Sequence, residues 1–93
     1  MNKIESIKEL TDEELTYLGC SPDEYEKAII GIAYRFGAEP TVAYDYDKVL
    51  ELLAERFKEE GSPDPHIDAI EWFDFNIMGS WVGDKTPIFI QTV

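Results

Sequence analysis

The groups with which this chain could do chemistry are few in kind and one-sided in charge. There is one histidine and one cysteine, and there are twenty Asp and Glu against eight Lys and Arg. His66 stands between Asp64 and Asp68, but a lone histidine among acids is a poor zinc signature, because zinc asks for further nitrogen or sulfur ligands around a concave centre. Asp45 and Asp47 could touch a divalent ion, yet the calcium-loop glycine and terminal Glu are missing. A hydrolytic carboxylate pair can be picked from twenty acids by chance, so no pair carries meaning without geometry. Cys20 has no evident histidine partner and reads as a structural or incidental thiol. Phosphate-binding glycine loops, dinucleotide fingerprints and basic nucleic-acid patches are all missing. The chain is therefore expected to be no enzyme and to take no cofactor and no metal.

What remains is the charge itself, a net −12 over 93 residues. That balance repels nucleic acid and anionic membrane surfaces and favours basic partners, such as the grooves of proteins that themselves bind DNA or RNA. The acids are also ordered. Asp47, Glu51, Glu55 and Glu59 recur every four residues, which on a helix puts them on one face about 6 Å apart, close to the phosphate spacing of a nucleic-acid strand. Asp64, Asp68, Glu71 and Asp74 repeat the theme at spacings of four, three and three. Like charges at such spacing destabilise a helix by a few tenths of a kcal/mol each. A solvated face that keeps a small protein soluble accounts for the same pattern.

Four helices are expected to position these groups. Ile4, Ile7 and Leu10 give a short amphipathic turn or helix over residues 3–10. Thr11-Asp12-Glu13-Glu14 has the form of a capping box, opening a short helix that buries Leu15 and Leu18 and stops at Gly19. Ser21-Pro22-Asp23-Glu24 repeats that signal and predicts a helix with Tyr25, Ile29, Ile32, Ala33 and Phe36 on one face, ended by Gly37. Thr41 to Tyr44 is β-prone. Asp45 caps a helix with Val49, Leu50, Leu53, Ala54 and Phe57 inward and Gly61 at its end. Asp64-Pro65 opens the last helix, which runs to about Met78 with Ile67, Ile70, Phe73 (or Trp72) and Ile77 inward, and Gly79 after it. Ser80 to Val93 reads as β-like: Trp81-Val82, a Gly83-Asp84-Lys85 turn, then a strand in which Ile88-Phe89-Ile90 pairs with Val42-Ala43-Tyr44 or with Trp81-Val82.

The stretch Ala69 to Phe89 is the most distinctive. It contains Trp72-Phe73-Asp74-Phe75-Asn76, then Gly79-Ser80-Trp81-Val82-Gly83, then Thr86-Pro87-Ile88-Phe89. This string resembles a group of small acidic proteins encoded by bacteriophages and prophages, and Tyr44-Asp45-Tyr46-Asp47-Lys48 resembles that group too. The resemblance covers roughly a third of the chain. It implies phage origin and a host-directed role and carries over no catalytic residue. Read physically, the same aromatics can supply much of the core of a small domain, while an exposed subset flanked by carboxylates would make a protein-binding hot spot.

These readings combine into one expectation. Residues 1–93 form a single compact domain, mainly α within the α+β class, with about four short helices and a small hairpin or sheet formed by the C-terminal segment. It works in the host cytoplasm, binding a basic, nucleic-acid-binding host protein and inhibiting or redirecting it in the manner of an anti-CRISPR or nuclease inhibitor. Direct nucleic-acid and membrane contact are not expected; a homodimer is an option. The partner-binding residues would be Asp47, Glu51, Glu55, Glu59, Asp68, Glu71 and Asp74, with Tyr44, Tyr46 and Trp81 as anchors. The alternative is an oligomeric or small-ligand-binding accessory protein built on the aromatic C-terminal segment. Lone Cys20 fits a reducing compartment, no apolar run is long enough to span a bilayer, and the charged N-terminus has no signal-peptide character.

Overall fold

In the computed structural model, which describes residues 3–19, 21–77 and 86–93, three α-helices pack with a three-stranded mixed sheet. In chain order the elements are α1 (Lys3–Leu10), β1 (Ile29–Ala33), β2 (Thr41–Asp45), α2 (Tyr46–Glu59), α3 (Pro65–Asn76) and β3 (Ile88–Ile90). The sheet order is β1-β2-β3, with β1 antiparallel and β3 parallel to β2.

This corrects the expected mainly helical fold with about four helices and a sheet made by the C-terminal segment. Residues 11–19 form no helix. The Glu13 N–H reaches the Thr11 hydroxyl at 3.1 Å, a turn two residues long that diverts the capping signal from a helix. Leu15 is buried all the same. The predicted helix from Ser21 to Phe36 is also absent. Ser21 donates to Asp23 Oδ1 at 2.7 Å and accepts the Glu24 N–H through its carbonyl, closing a turn. A single 3-10 turn follows at Glu26–Ala28. The chain then becomes β1, because Ile29-Ile30-Gly31-Ile32 has two strikes against a helix, β-branching and an internal glycine. As a strand it buries Ile29 against the core.

The second half follows its local signals. The Asp45 carboxylate accepts the Lys48 N–H at 3.2 Å, a cap worth about 0.5–2 kcal/mol. α2 closes in a Schellman motif: Ser62 N–H reaches the Phe57 carbonyl, Gly61 N–H reaches Lys58, and Gly61 adopts φ +89°. Asp64 then caps α3, accepting the Ile67 N–H at 3.4 Å, with Pro65 in the first turn.

Register decides which strand residues meet the helices. Ile29 pairs with Tyr44 and Ile32 with Val42, while a bulge at Ile30 lets Gly31 pair with Ala43 and Ala33 with Thr41. Tyr44 pairs with Phe89 and Ala43 with Ile88. Tyr44, Val42, Ile29 and Phe89 therefore face α2 and α3. Their rings form a chain: Tyr44 stacks on Phe89 at 5.9 Å, Phe89 meets Phe73 edge-on at 4.9 Å, and Phe73 meets Tyr46 at 5.1 Å. Val49, Leu53, Ala69 and Phe73 complete this core. Of the two pairings left open for Ile88-Phe89-Ile90, the structure shows the one with β2, one residue along from Val42-Ala43-Tyr44, at Ala43 to Asp45. The expected Trp81-Val82 strand, the Gly83-Asp84-Lys85 turn and the Gly79 stop lie outside the described residues.

Candidate protein-interaction face

Successive residues of a helix are about 100° apart, and this sorts the acidic positions. On α2 the core takes Val49, Leu50 and Leu53. Asp47, Glu51, Glu55 and Glu59 are exposed on the far side. The same side also carries Lys48 and Lys58. Lys48 Nζ lies 3.3 Å from Glu51 Oε2, and Lys48, Glu51, Glu55 and Lys58 line one shallow groove with Ala54, Pro65 and His66. The α2 stripe is thus interleaved with cations. Arg56 leaves this side altogether, donating to Glu24 Oε1 at 3.1 Å and to the Tyr25 hydroxyl at 2.9 Å.

α3 is different. Ala69 and Phe73 point inward. Outward stand Asp68, Glu71 and Asp74, and the helix contains no lysine or arginine. Trp72 and Phe75 stand on the Asp68–Glu71 side of this surface, Phe75 at 83% exposure, whereas Asp74, two residues from Trp72, is turned to the far edge and lies outside their groove. Phe57, Asp68, Glu71, Trp72, Phe75 and Asn76 line an open groove of about 400 Å³. Asp68 is half-buried and accepts the Ser62 hydroxyl, which fixes its carboxylate at the groove's edge. Asn76 donates to the Trp72 carbonyl at 3.1 Å, completing the last turn beneath the two rings. Fixed carboxylates beside exposed aromatic rings are the composition of a protein-binding hot spot for a basic surface.

The expected anchors fare unevenly. Tyr44 has 0% exposure and belongs to the core. Its hydroxyl accepts the Leu18 N–H at 2.8 Å, and burial pushes its pKa up, opposed by that hydrogen bond and helped by nearby Tyr17. Tyr46 is half-buried against Phe73. Trp81 lies outside the described residues, as does Cys20. The anchors the structure brings together with acids are Trp72 and Phe75. The signal for Phe75 was in the numbering: two residues from Phe73 on a helix, it must face the opposite way.

Other groups offer less chemistry. His66 is exposed, and among the described residues no set of three His, Cys, Asp or Glu is placed to hold a metal ion. No helix of the described residues is long and apolar enough to cross a membrane. The hydroxyl of Ser21 holds the exposed Asp23 carboxyl below its ordinary pKa, and burial raises that of Tyr17. A cavity of about 280 Å³ is lined by Thr16, Tyr17, Leu18 and Gly19 on one side and Asn76, Ile77, Thr86, Pro87 and Phe89 on the other, all uncharged. No protein-family model, curated protein or solved structure matches this chain.

Proposed function

We propose that the protein is a non-enzymatic binding protein that docks on a basic patch of a partner through the outer face of α3, and that occupying the patch inhibits or redirects that partner. Asp68, Glu71 and Asp74 supply attraction and orientation; Trp72 and Phe75 supply the anchors. The observation that carries this reading is the pairing of exposed aromatics with acids on a helix free of cations. Within a chain of net charge −12, such a face steers toward lysine- and arginine-rich grooves and gains on-rate at low salt. The resemblance of the Ala69–Phe89 stretch to phage-encoded proteins supports a host-directed role, and the acidic charge supports a basic, nucleic-acid-binding partner in the host cytoplasm, a nuclease or CRISPR effector being the type proposed.

The test is affinity capture from host lysate at low salt, with elution by raised salt and competition by DNA or RNA. One nucleic-acid-binding protein, displaced by nucleic acid and lost on the charge-reversed E71K/D74K variant, supports the reading. Capture that the double variant leaves unchanged overturns it.

The uncharged cavity beside Tyr17 and Phe89 favours a second reading, an accessory protein that holds a small neutral ligand between the C-terminal segment and residues 16–19. Salt separates the two, since a neutral ligand's affinity is little affected by ionic strength.

A further inference from the structure

The turn between β1 and β2 presents apolar surface that the fold does not use. The Ala38 N–H reaches the Arg35 carbonyl at 3.1 Å, and Gly37 sits at φ +78°, the third-position conformation of a type II turn. Phe36 is therefore at the outer corner and is fully exposed, with Tyr34 beside it at 70% exposure. Next to this corner is a concavity of about 360 Å³, lined by Ala33, Ala38, Thr41, Thr86 and Ile88 together with Tyr34, Arg35 and Glu39. Register puts the pair Ala33 and Thr41 on one side of the sheet, with Ile88 opposite Ala43, the next residue of β2 on that side.

We propose that this turn is the contact between two copies of the chain, with Phe36 of each copy entering the concavity of the other about a two-fold axis. Two features select a second copy. A projecting ring next to a concavity can be self-complementary, because a two-fold rotation can bring each knob to the other's hole. The patch is also neutral, one arginine with one glutamate, in a molecule of net charge −12. Two copies can meet here without a net charge on either lining. The turn lies at the start of β2, while α2 begins at its end, about 17 Å along the strand. No residue of this contact belongs to α3, so its test is separate from that of the α3 face.

Sedimentation velocity of the full chain up to about 0.5 mM tests it, in salt of about 0.05 and 0.5 M. The expected result is a monomer–dimer equilibrium that shifts toward dimer at high salt, as the repulsion between two acidic chains is screened. F36D should be monomeric at every concentration with an unchanged thermal melt, since the ring packs on nothing within its own copy. A wild-type chain that stays monomeric throughout overturns the proposal, and so does a dimer that F36D leaves intact.

Discussion

On α2, Glu51 and Glu55 share a groove with Lys48 and Lys58; on α3, Asp68 and Glu71 share theirs with Trp72 and Phe75. Both helices look alike when only acids are counted at three- and four-residue spacing. Their neighbours separate them. A carboxylate next to a lysine spends much of its field locally and offers a partner little, whereas a carboxylate beside an exposed ring offers both charge and desolvation. A regular acidic stripe is thus a poor guide to a binding face unless the intervening residues are read as well.

The largest way to break this comparison is to remove what holds the α3 face in place. Phe73 is fully buried at the junction of Phe89 and Tyr46. F73A should cost about 3–5 kcal/mol, a large part of a small domain's stability, as measured by urea unfolding. A loss under about 1 kcal/mol would mean that α3 is not anchored through this ring.

The next effect bears on the faces directly. Reversing Glu71 and Asp74 to Lys should weaken capture of a basic partner by about ten-fold or more, and F75A by a similar factor, each near 1.4 kcal/mol. Reversing Glu51 and Glu55 should weaken it by only about two-fold, through net charge and on-rate. Equal losses from both pairs would erase the distinction between the helices.

How far the sequence could take this argument depended on where local signals agreed with the fold. From Thr41 to Ile77 they agreed. Asp45 and Asp64 cap, Gly61 and Pro65 punctuate, and the apolar period is helical, so α2 and α3 are legible in the sequence, while the pairing of Ile88-Phe89-Ile90 with β2 is one of two that it leaves open. From Thr11 to Phe36 they conflicted. Two cap-like strings promised helices, and the run around Gly31 could be placed on a helical face as easily as on a strand. Only pairing with β2 decides for the strand, and that pairing is a non-local contact no short window contains. The α3 face is half legible: its acids stand out in the sequence, but the string around Tyr44 offers that ring as an anchor although its place in a central strand buries it, and the aromatic run suggests a core role for Phe75 against its helical phase.

Tyr44 gives an effect on stability with a distinctive pH signature. Y44F leaves the Leu18 N–H without its acceptor, which should cost about 1–3 kcal/mol. Burial raises the Tyr44 pKa above its ordinary value in the folded state, so the folded chain holds that proton more tightly than the unfolded one. The stability linked to it is fully present below about pH 10 and is lost as pH rises through the folded value. Wild-type urea midpoints should therefore fall on the alkaline side of pH 10, and Y44F should start lower and decline less. Parallel profiles would show that another group governs the alkaline limb.

The smallest expected effect sharpens the contrast from the α2 side. Lys48 and Glu51 are three residues apart and largely exposed, with Nζ and Oε2 3.3 Å apart, so water and salt screen the pair and its side chains lose rotamer freedom to form it. A double-mutant cycle on K48A and E51A should give a coupling of about 0.5 kcal/mol or less, shrinking further at high salt. Yet K48A and K58A together remove the two cations from the α2 groove. If cation interleaving is what silences that face, this double variant should gain affinity for the basic partner while its stability barely changes. Its stripe would then resemble α3 in charge but still lack the rings. A gain comparable to the loss seen in F75A would mean that charge alone makes the face; a gain of about two-fold or less would assign the larger share to Trp72 and Phe75.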